Sequence, residues 1–260
     1  MLTFAAIVFV VVMWSLSTAV IFYLDSLAPR TFKFSMAAAT FVLLICAIAI
    51  VELRDDDSIL SEAVSFAAGL LVWGWTEMAL YMGYITGPRK HRCADGCSGV
   101  HHFGHAIFAN LWHEIGVIAF AMLIYFTGNE TALWCYTMLW LMHLSARLNV
   151  FLGVRNVSAE LVPAQMDVLK SFLRRRKMNA LFPFSCAALL ALSIYLILLP
   201  QTFSVTMAAT LAVIGLLEHV LLMLPLPVEK MWTWSLSRKS APEKSELKSK
   251  SRHPAVGALL

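Results

Sequence analysis

Apolar residues along this chain fall into seven long blocks, separated by short stretches rich in Gly, Pro and charge. The blocks cover about 2–24, 34–51, 59–85, 103–126, 132–152, 181–199 and 203–224. Each is close to the ~20 residues an α-helix needs to cross a bilayer. The breaks fall at Pro29, Gly87-Pro88, Gly128-Asn129, Gly153, Pro200 and Pro225 to Pro227, where backbone chemistry ends helices. The pattern predicts an all-α bundle of seven transmembrane helices in one domain over 1–234. Between the fifth and sixth blocks lies an amphipathic loop at 157–179, and a Lys/Ser-rich tail at 235–260 has so little to bury that it reads as disordered.

Composition sharpens the class. With 60% hydrophobic and 14% charged residues, and a mean hydropathy of +0.74, the chain has far more apolar surface than a water-soluble domain of this size can bury. Cys46, Cys93, Cys97, Cys135 and Cys186 are an odd, scattered set that argues against a disulfide framework. Met1 leads into an apolar run without a basic region, so the first block reads as a retained helix.

The charge distribution orients the bundle. Arg30 and Lys33 follow the first block, and Arg89, Lys90 and Arg92 the third. Arg155, Lys170, Arg174, Arg175, Arg176 and Lys177 follow the fifth; Lys230, Arg238 and Lys239 follow the seventh. The second loop has only Arg54 among acids, and the fourth and sixth loops have neither Lys nor Arg. The positive-inside rule then places the N-terminus outside (periplasmic in a bacterium) and the C-terminus in the cytoplasm. In the long loop, Leu161, Met166, Leu169, Phe172 and Leu173 recur at helical spacing before Arg174, Arg175 and Arg176. That spacing suits an interfacial helix on anionic lipid; an ordinary basic loop is the alternative.

Candidate chemistry lies inside the apolar blocks. Glu77, His113, Glu114, His143, Arg147, Asn149, Glu218 and His219 are ionisable or polar groups where hydrocarbon makes them costly, so they are candidate ligand- or cofactor-binding residues. The orientation puts all of them in the cytoplasmic half, which predicts one shared site. Three readings stay open. Arg147 can pair with Glu77, Glu114 or Glu218 and fix helix packing. His113 or His219 can hold a cofactor between helices, the magnesium of a chlorin included, with Trp73, Trp75, Trp112 and Trp140 as flat apolar surface. A dimetal oxidase is the third, but such sites use Glu-x-x-His pairs; here His113-Glu114 and Glu218-His219 are adjacent and no Glu-x-x-His occurs.

The third loop adds His91, Cys93, Cys97, His101, His102 and His105. His101 and His105 can share a helical face with Cys93 and Cys97 nearby, a weak metal candidate whose spacing fits no strong zinc signature. Interfacial histidines are the expected reading. No phosphate loop, nucleophile elbow or nucleotide fingerprint is present, and no nucleic-acid partner is expected.

Trp75-Thr-Glu77, Thr86-Gly-Pro-Arg89, Trp112-His-Glu114, Ser145-Ala-Arg-Leu-Asn-Val-Phe-Leu-Gly-Val-Arg-Asn156, Met178-Asn-Ala-Leu-Phe-Pro183, Leu217-Glu-His219, Leu224-Pro-Leu-Pro227 and Trp232-x-Trp234 occur in that order. Over roughly 70–234 they resemble the photosynthetic complex assembly protein 2 family (PuhE-type) of purple and related phototrophic bacteria. The resemblance implies a multi-pass protein of the bacterial inner (cytoplasmic or intracytoplasmic) membrane, encoded with reaction-centre genes. It also implies a role in bacteriochlorophyll supply or in assembly of the reaction-centre and light-harvesting complexes. The expected function is a non-enzymatic assembly factor that binds a bacteriochlorophyll-type pigment or precursor, or a partner membrane subunit, through the polar site. Expected partners are reaction-centre or light-harvesting subunits, pigment-synthesis enzymes and anionic lipid, with Arg155, Asn156, Arg174, Arg175 and Arg176 as the contact surface. The rival is a metal-dependent, iron-containing membrane oxidase or hydroxylase acting on a tetrapyrrole or lipid. The His101-His102-x2-His105 cluster is not part of the resemblance.

Overall fold

The computed structural model describes residues 1–94, 97, 99–156 and 167–224. Among these residues the chain forms α1 (Leu2–Ser26), a 3-10 turn (Pro29–Thr31), α2 (Phe32–Glu52), α3 (Ile59–Tyr81), α4 (Gly99–Thr127), α5 (Glu130–Leu152), the single turn α6 (Asp167–Lys170), α7 (Leu181–Leu198) and α8 (Phe203–Leu221). No strand occurs among the described residues; Val154 and Arg175 form one isolated parallel bridge.

Side-chain caps set several starts. Ser58 accepts from the Ser61 amide at α3, Asn129 from Ala132 at α5, and Thr202 from Val205 at α8. Two boundaries differ from the apolar pattern. α3 stops at Tyr81 rather than 85, because Gly83 takes φ 82° and the Tyr84 and Ile85 amides both turn back to the Ala79 carbonyl. α4 begins at Gly99 rather than 103, which puts His101, His102 and His105 on its first turns.

α3 and α5 form the centre. α3 packs on α1, α2, α4 and α5, while α5 also touches α4, α7 and α8; α7 and α8 pair, and α1 closes against α8. Gly69 permits the central contact, since a Cβ there would lie 2.7 Å from the Ala132 carbonyl oxygen of α5. Near that point the buried Asn129 amide donates to the Ile50 carbonyl (3.0 Å) and Ser65 hydroxyl (2.9 Å), tying α2, α3 and α5 together.

Six of these helices have the length and apolarity to cross a membrane: α1, α2 with its leading turn, α3, α4, α7 and α8. Their outward faces carry large apolar side chains such as Phe4, Phe41, Phe126 and Leu198, as lipid-facing helices do. The protein is a multi-pass α-helical membrane protein. α5 has the length but not the apolarity, because it carries Glu130, His143, Arg147 and Asn149.

Of the long basic loop, residues 167–179 are described. Its described helical part is the one turn of α6, and Leu169 and Phe172 are buried inside the protein against Leu80, Ala106, Ala109 and Phe151. Their apolar face meets α3, α4 and α5 instead of a bilayer surface. Leu161, Met166, Pro225 to Pro227, Trp232, Trp234 and the tail at 235–260 lie outside the described residues.

Candidate functional site

Three helices bring five of the predicted residues together. Glu77 sits one turn before the end of α3, His113 and Glu114 are in mid-α4, and His143 and Arg147 share a face of α5 at i, i+4. Arg147 holds the two acids: its Nη1 donates to Glu114 Oε1 at 2.6 Å and its Nη2 to Glu77 Oε1 at 3.4 Å. Nε2 of His113 lies 3.3 Å from Glu77 Oε1, and Nε2 of His143 lies 3.2 Å from Glu77 Oε2. Trp140 Nε1 donates to the other oxygen of Glu114 at 3.2 Å. Glu77 is therefore the hub, touched by one guanidinium and two imidazoles.

Two features make the cluster more than a closed ion pair. Glu77 Oε2 and His113 Nε2 are buried without an aligned hydrogen bond, so the short imidazole–carboxylate approaches are off-axis. The cluster also opens outward. The His143 side chain is 33% exposed and that of Glu114 21%, against 6% for Glu77 and 2% for His113. Trp112 is exposed on α4, about 200° round the helix from Glu114. The other tryptophans are engaged: Trp73 stacks edgewise on Tyr136 and His143, and Trp75 packs on Phe120 and donates to Thr40.

The remaining predicted residues lie elsewhere. His219 is fully buried in a second network, with Nδ1 2.8 Å from the Gly215 carbonyl and Nε2 3.0 Å from the Ser145 hydroxyl. Ser145 and Ser185 are 2.9 Å apart, and the Asn149 amide donates to Ser185 (2.9 Å) and to the Ser145 carbonyl (2.9 Å). Asn149 and His219 thus join α5, α7 and α8 and do not contact the Glu77 hub. Glu218, one residue earlier on α8, points to the exposed face. The expectation of one shared site is corrected: adjacent residues on a helix diverge by about 100°, which separates Glu218 from His219 and both from the hub.

At the bundle end where α3 and α5 finish, Asn156 is held, its amide nitrogen donating to Leu222 and its side chain to Leu221. Arg174 is partly buried and donates to the Cys97 carbonyl at 2.6 Å; Arg155, Arg175 and Arg176 are exposed. His101 is exposed, whereas His102 is buried and turned toward Cys93 and Cys97 with His105. Burial and the neighbouring Cys97 push the Cys93 thiol up, while Arg89 and Arg174 pull it down.

Neither spacing nor charge marks Ser145, Ser185, Asn179 or Asp25 as functional, and Ser145 and Asn179 enter only through the resemblance. Asp25 is a buried carboxylate in the last turn of α1, and its place at a block end read as a boundary. Asn179, in Met178-Asn179-Ala180, was part of the resemblance only.

Together these features define a multi-pass α-helical membrane protein built round an intramembrane carboxylate–guanidinium–imidazole cluster. The chain belongs to the family described as "Protein of unknown function (DUF3623)", which it matches over residues 1–243. It is similar to the "Uncharacterized 30.4 kDa protein in puhA 5'region" of Rhodobacter capsulatus, 34% identical over 200 residues that cover 73% of each chain. No solved structure matches the chain.

Proposed function

We propose that this protein is an assembly factor of the bacterial inner membrane, of the PuhE type, which serves the photosynthetic reaction-centre and light-harvesting apparatus by holding a bacteriochlorophyll-type pigment. The relative's place in the 5′ region of puhA supports the photosynthetic setting. The observation that carries the binding role is the off-axis contact of Glu77 Oε2 and His113 Nε2, neither of which has an aligned hydrogen bond, beside an opening at His143 and Glu114. A buried polar atom whose nearest partner is misaligned keeps capacity for one from outside. A network that served packing alone gains nothing by exposing an imidazole to hydrocarbon.

The roles follow from the geometry. Arg147 is committed to Glu77 and Glu114, so it organises the cluster rather than gripping an incoming acid. The His143 ring, stacked on Trp73 and reaching the opening, offers a nitrogen to a pigment's carbonyl or metal. A pigment brings light absorption and a coordinated ion; this chain's residues bind and orient it.

The residues do not fit the dimetal oxidase. Arg147 places a positive charge between both carboxylates, where that site needs cations, and no Glu-x-x-His supplies the ligand geometry.

α5 is taken as a seventh crossing: its 23 residues span about 34 Å at about 1.5 Å per residue, and its polar groups face α3, α4, α7 and α8. That puts the N-terminus in the periplasm, with the C-terminus and the exposed Arg155, Arg175 and Arg176 in the cytoplasm, where they can meet anionic lipid or a partner subunit. A reporter active only in the periplasm, fused after residue 224, is expected to be silent, and one fused in the loop after α4 active. The opposite pattern overturns the orientation.

The binding role is tested by purifying the protein in mild detergent from phototrophically grown cells and recording its spectrum. Pigment is expected to copurify with wild type and to be lost both in His143→Ala and in His143→Phe, which keeps a ring against Trp73. A colourless wild type together with normal reaction-centre levels in His143→Ala cells overturns it. Iron bound in a Glu77-dependent manner would support the oxidase instead.

A further inference from the structure

We propose that Cys93, Cys97, His102 and His105 form a four-ligand, zinc-class metal site that clips the loop after α3 to the start of α4. The two cysteines are free and half-buried, just before the helix whose first turns present His102 and His105. Sγ of Cys93 and Cys97 lie 3.5 and 3.7 Å from the same atom, Nδ1 of His105. Both sulfurs and a ring nitrogen of His102 fall within 4.8 Å of one another. Zinc bonds of about 2.3 Å to sulfur and about 2.0–2.1 Å to nitrogen imply a tetrahedral S···N edge of about 3.5–3.6 Å. The two sulfurs already stand at that spacing from His105.

Hydrogen bonding alone does not account for this convergence. One imidazole nitrogen accepts a single S–H, so at most one of the two thiols pointed at His105 can bond it, and the other is left the weak bond between the thiols. His102 supplies an independent sign. It is 5% exposed, its Nε2 is 3.4 Å from the Phe172 carbonyl, and its Nδ1 is buried with no partner. A ring that donates from one nitrogen to a backbone carbonyl and leaves the other bare has the tautomer and orientation of a metal ligand. Two thiolates with a dication sum to zero charge, which suits a half-buried place at the membrane boundary, and an S2N2 set selects zinc over harder ions.

The surroundings give the clip its purpose. Arg174 donates to the Cys97 carbonyl, the Cys93 amide donates to Ser171, and Phe172 accepts from His102. The site therefore joins the loop after α3, the start of α4 and the segment after α6. That loop leads from the end of α3, one turn past Glu77, into the helix that carries His113 and Glu114.

Elemental analysis of the full-length protein, purified in detergent with a histidine-free tag, is expected to find one zinc per chain. Cys93→Ser and Cys97→Ser should lose it, and His101→Ala and Glu77→Gln should retain it. Because the cysteine variants can fail to fold, alkylation of wild type is a second measurement. Cys93 and Cys97 should be protected until a chelator is added, and then react. Metal-free wild type from zinc-replete cells, a Cys93–Cys97 disulfide, iron with acid-labile sulfide, or equal labelling with and without chelator would each overturn the site.

Discussion

Replacing Arg147 with methionine is expected to destabilise the protein by roughly 3–5 kcal/mol, because it strips the guanidinium that bridges two carboxylates inside the bundle. Arg147 is 11% exposed and bonds Glu114 at 2.6 Å and Glu77 at 3.4 Å. Methionine matches the aliphatic stem, so lost packing contributes little and the cost is electrostatic. The design predicts a pattern across variants. Glu114→Gln alone should be mild, since Glu114 is the more exposed acid and Arg147 keeps Glu77. Arg147→Met with Glu114→Gln should recover part of the single variant's loss, because one of the two uncompensated charges has gone. Arg147→Lys should fall between, as a point charge cannot bridge both acids in a fork. Thermal unfolding in detergent and the amount of folded protein per cell read these effects. If Arg147→Met shifts stability by less than about 1 kcal/mol, or the double variant is no better than the single, the cluster does not hold the helices.

The hub was legible in the sequence, and for a physical reason. Charge inside an apolar block is costly enough to be selected only where it meets something, and the loop charges put Glu77, Glu114 and Arg147 at one depth. Depth is a single coordinate, however. Azimuth round each helix decides which groups meet, and the block pattern is too uniformly apolar to show it: α5 and α8 have no apolar stripe from which to read a face. His219 faces Ser145 of α5, Asn149 faces Ser185 of α7, and Glu218 faces outward. The loop misread had the same origin. His101 and His105 are four apart and looked like the pair, yet His102 is the residue turned inward with His105, because α4 starts earlier than its apolar residues do. The Leu169 and Phe172 spacing was amphipathic as expected, but spacing alone does not say whether lipid or protein covers the apolar face.

Asn179 carries the second large effect, and no pattern of charge or hydropathy marks it. Its side-chain amide donates to the Asn149 carbonyl (3.1 Å) and the Gly153 carbonyl (2.9 Å) at the end of α5. Its side-chain oxygen accepts from the Leu181 and Phe182 amides (2.9 and 3.0 Å) at the start of α7. One buried side chain thus satisfies groups that two helix termini leave open. Gly153, at φ 113°, is the α5 exit that brings its carbonyl into reach. Asn179→Ala orphans the Gly153 carbonyl and the Leu181 and Phe182 amides, while the Asn149 carbonyl keeps the Gly153 amide, with an expected loss of roughly 3 kcal/mol from the cap and the buried carbonyl together. Asn179→Ser keeps an acceptor for the α7 amides but cannot reach the carbonyls, so about half of that loss should return. Asn179→Asp also keeps the cap, yet sets a negative oxygen against two carbonyl oxygens, and should be no better than alanine. An order in which aspartate rescues and serine does not would show that the cap alone matters and that the α5 carbonyls find water. The expected order, serine above alanine and aspartate, makes Asn179 the joint through which α7 and the Ser145–Ser185–His219 network keep α5 in place, and with it Arg147.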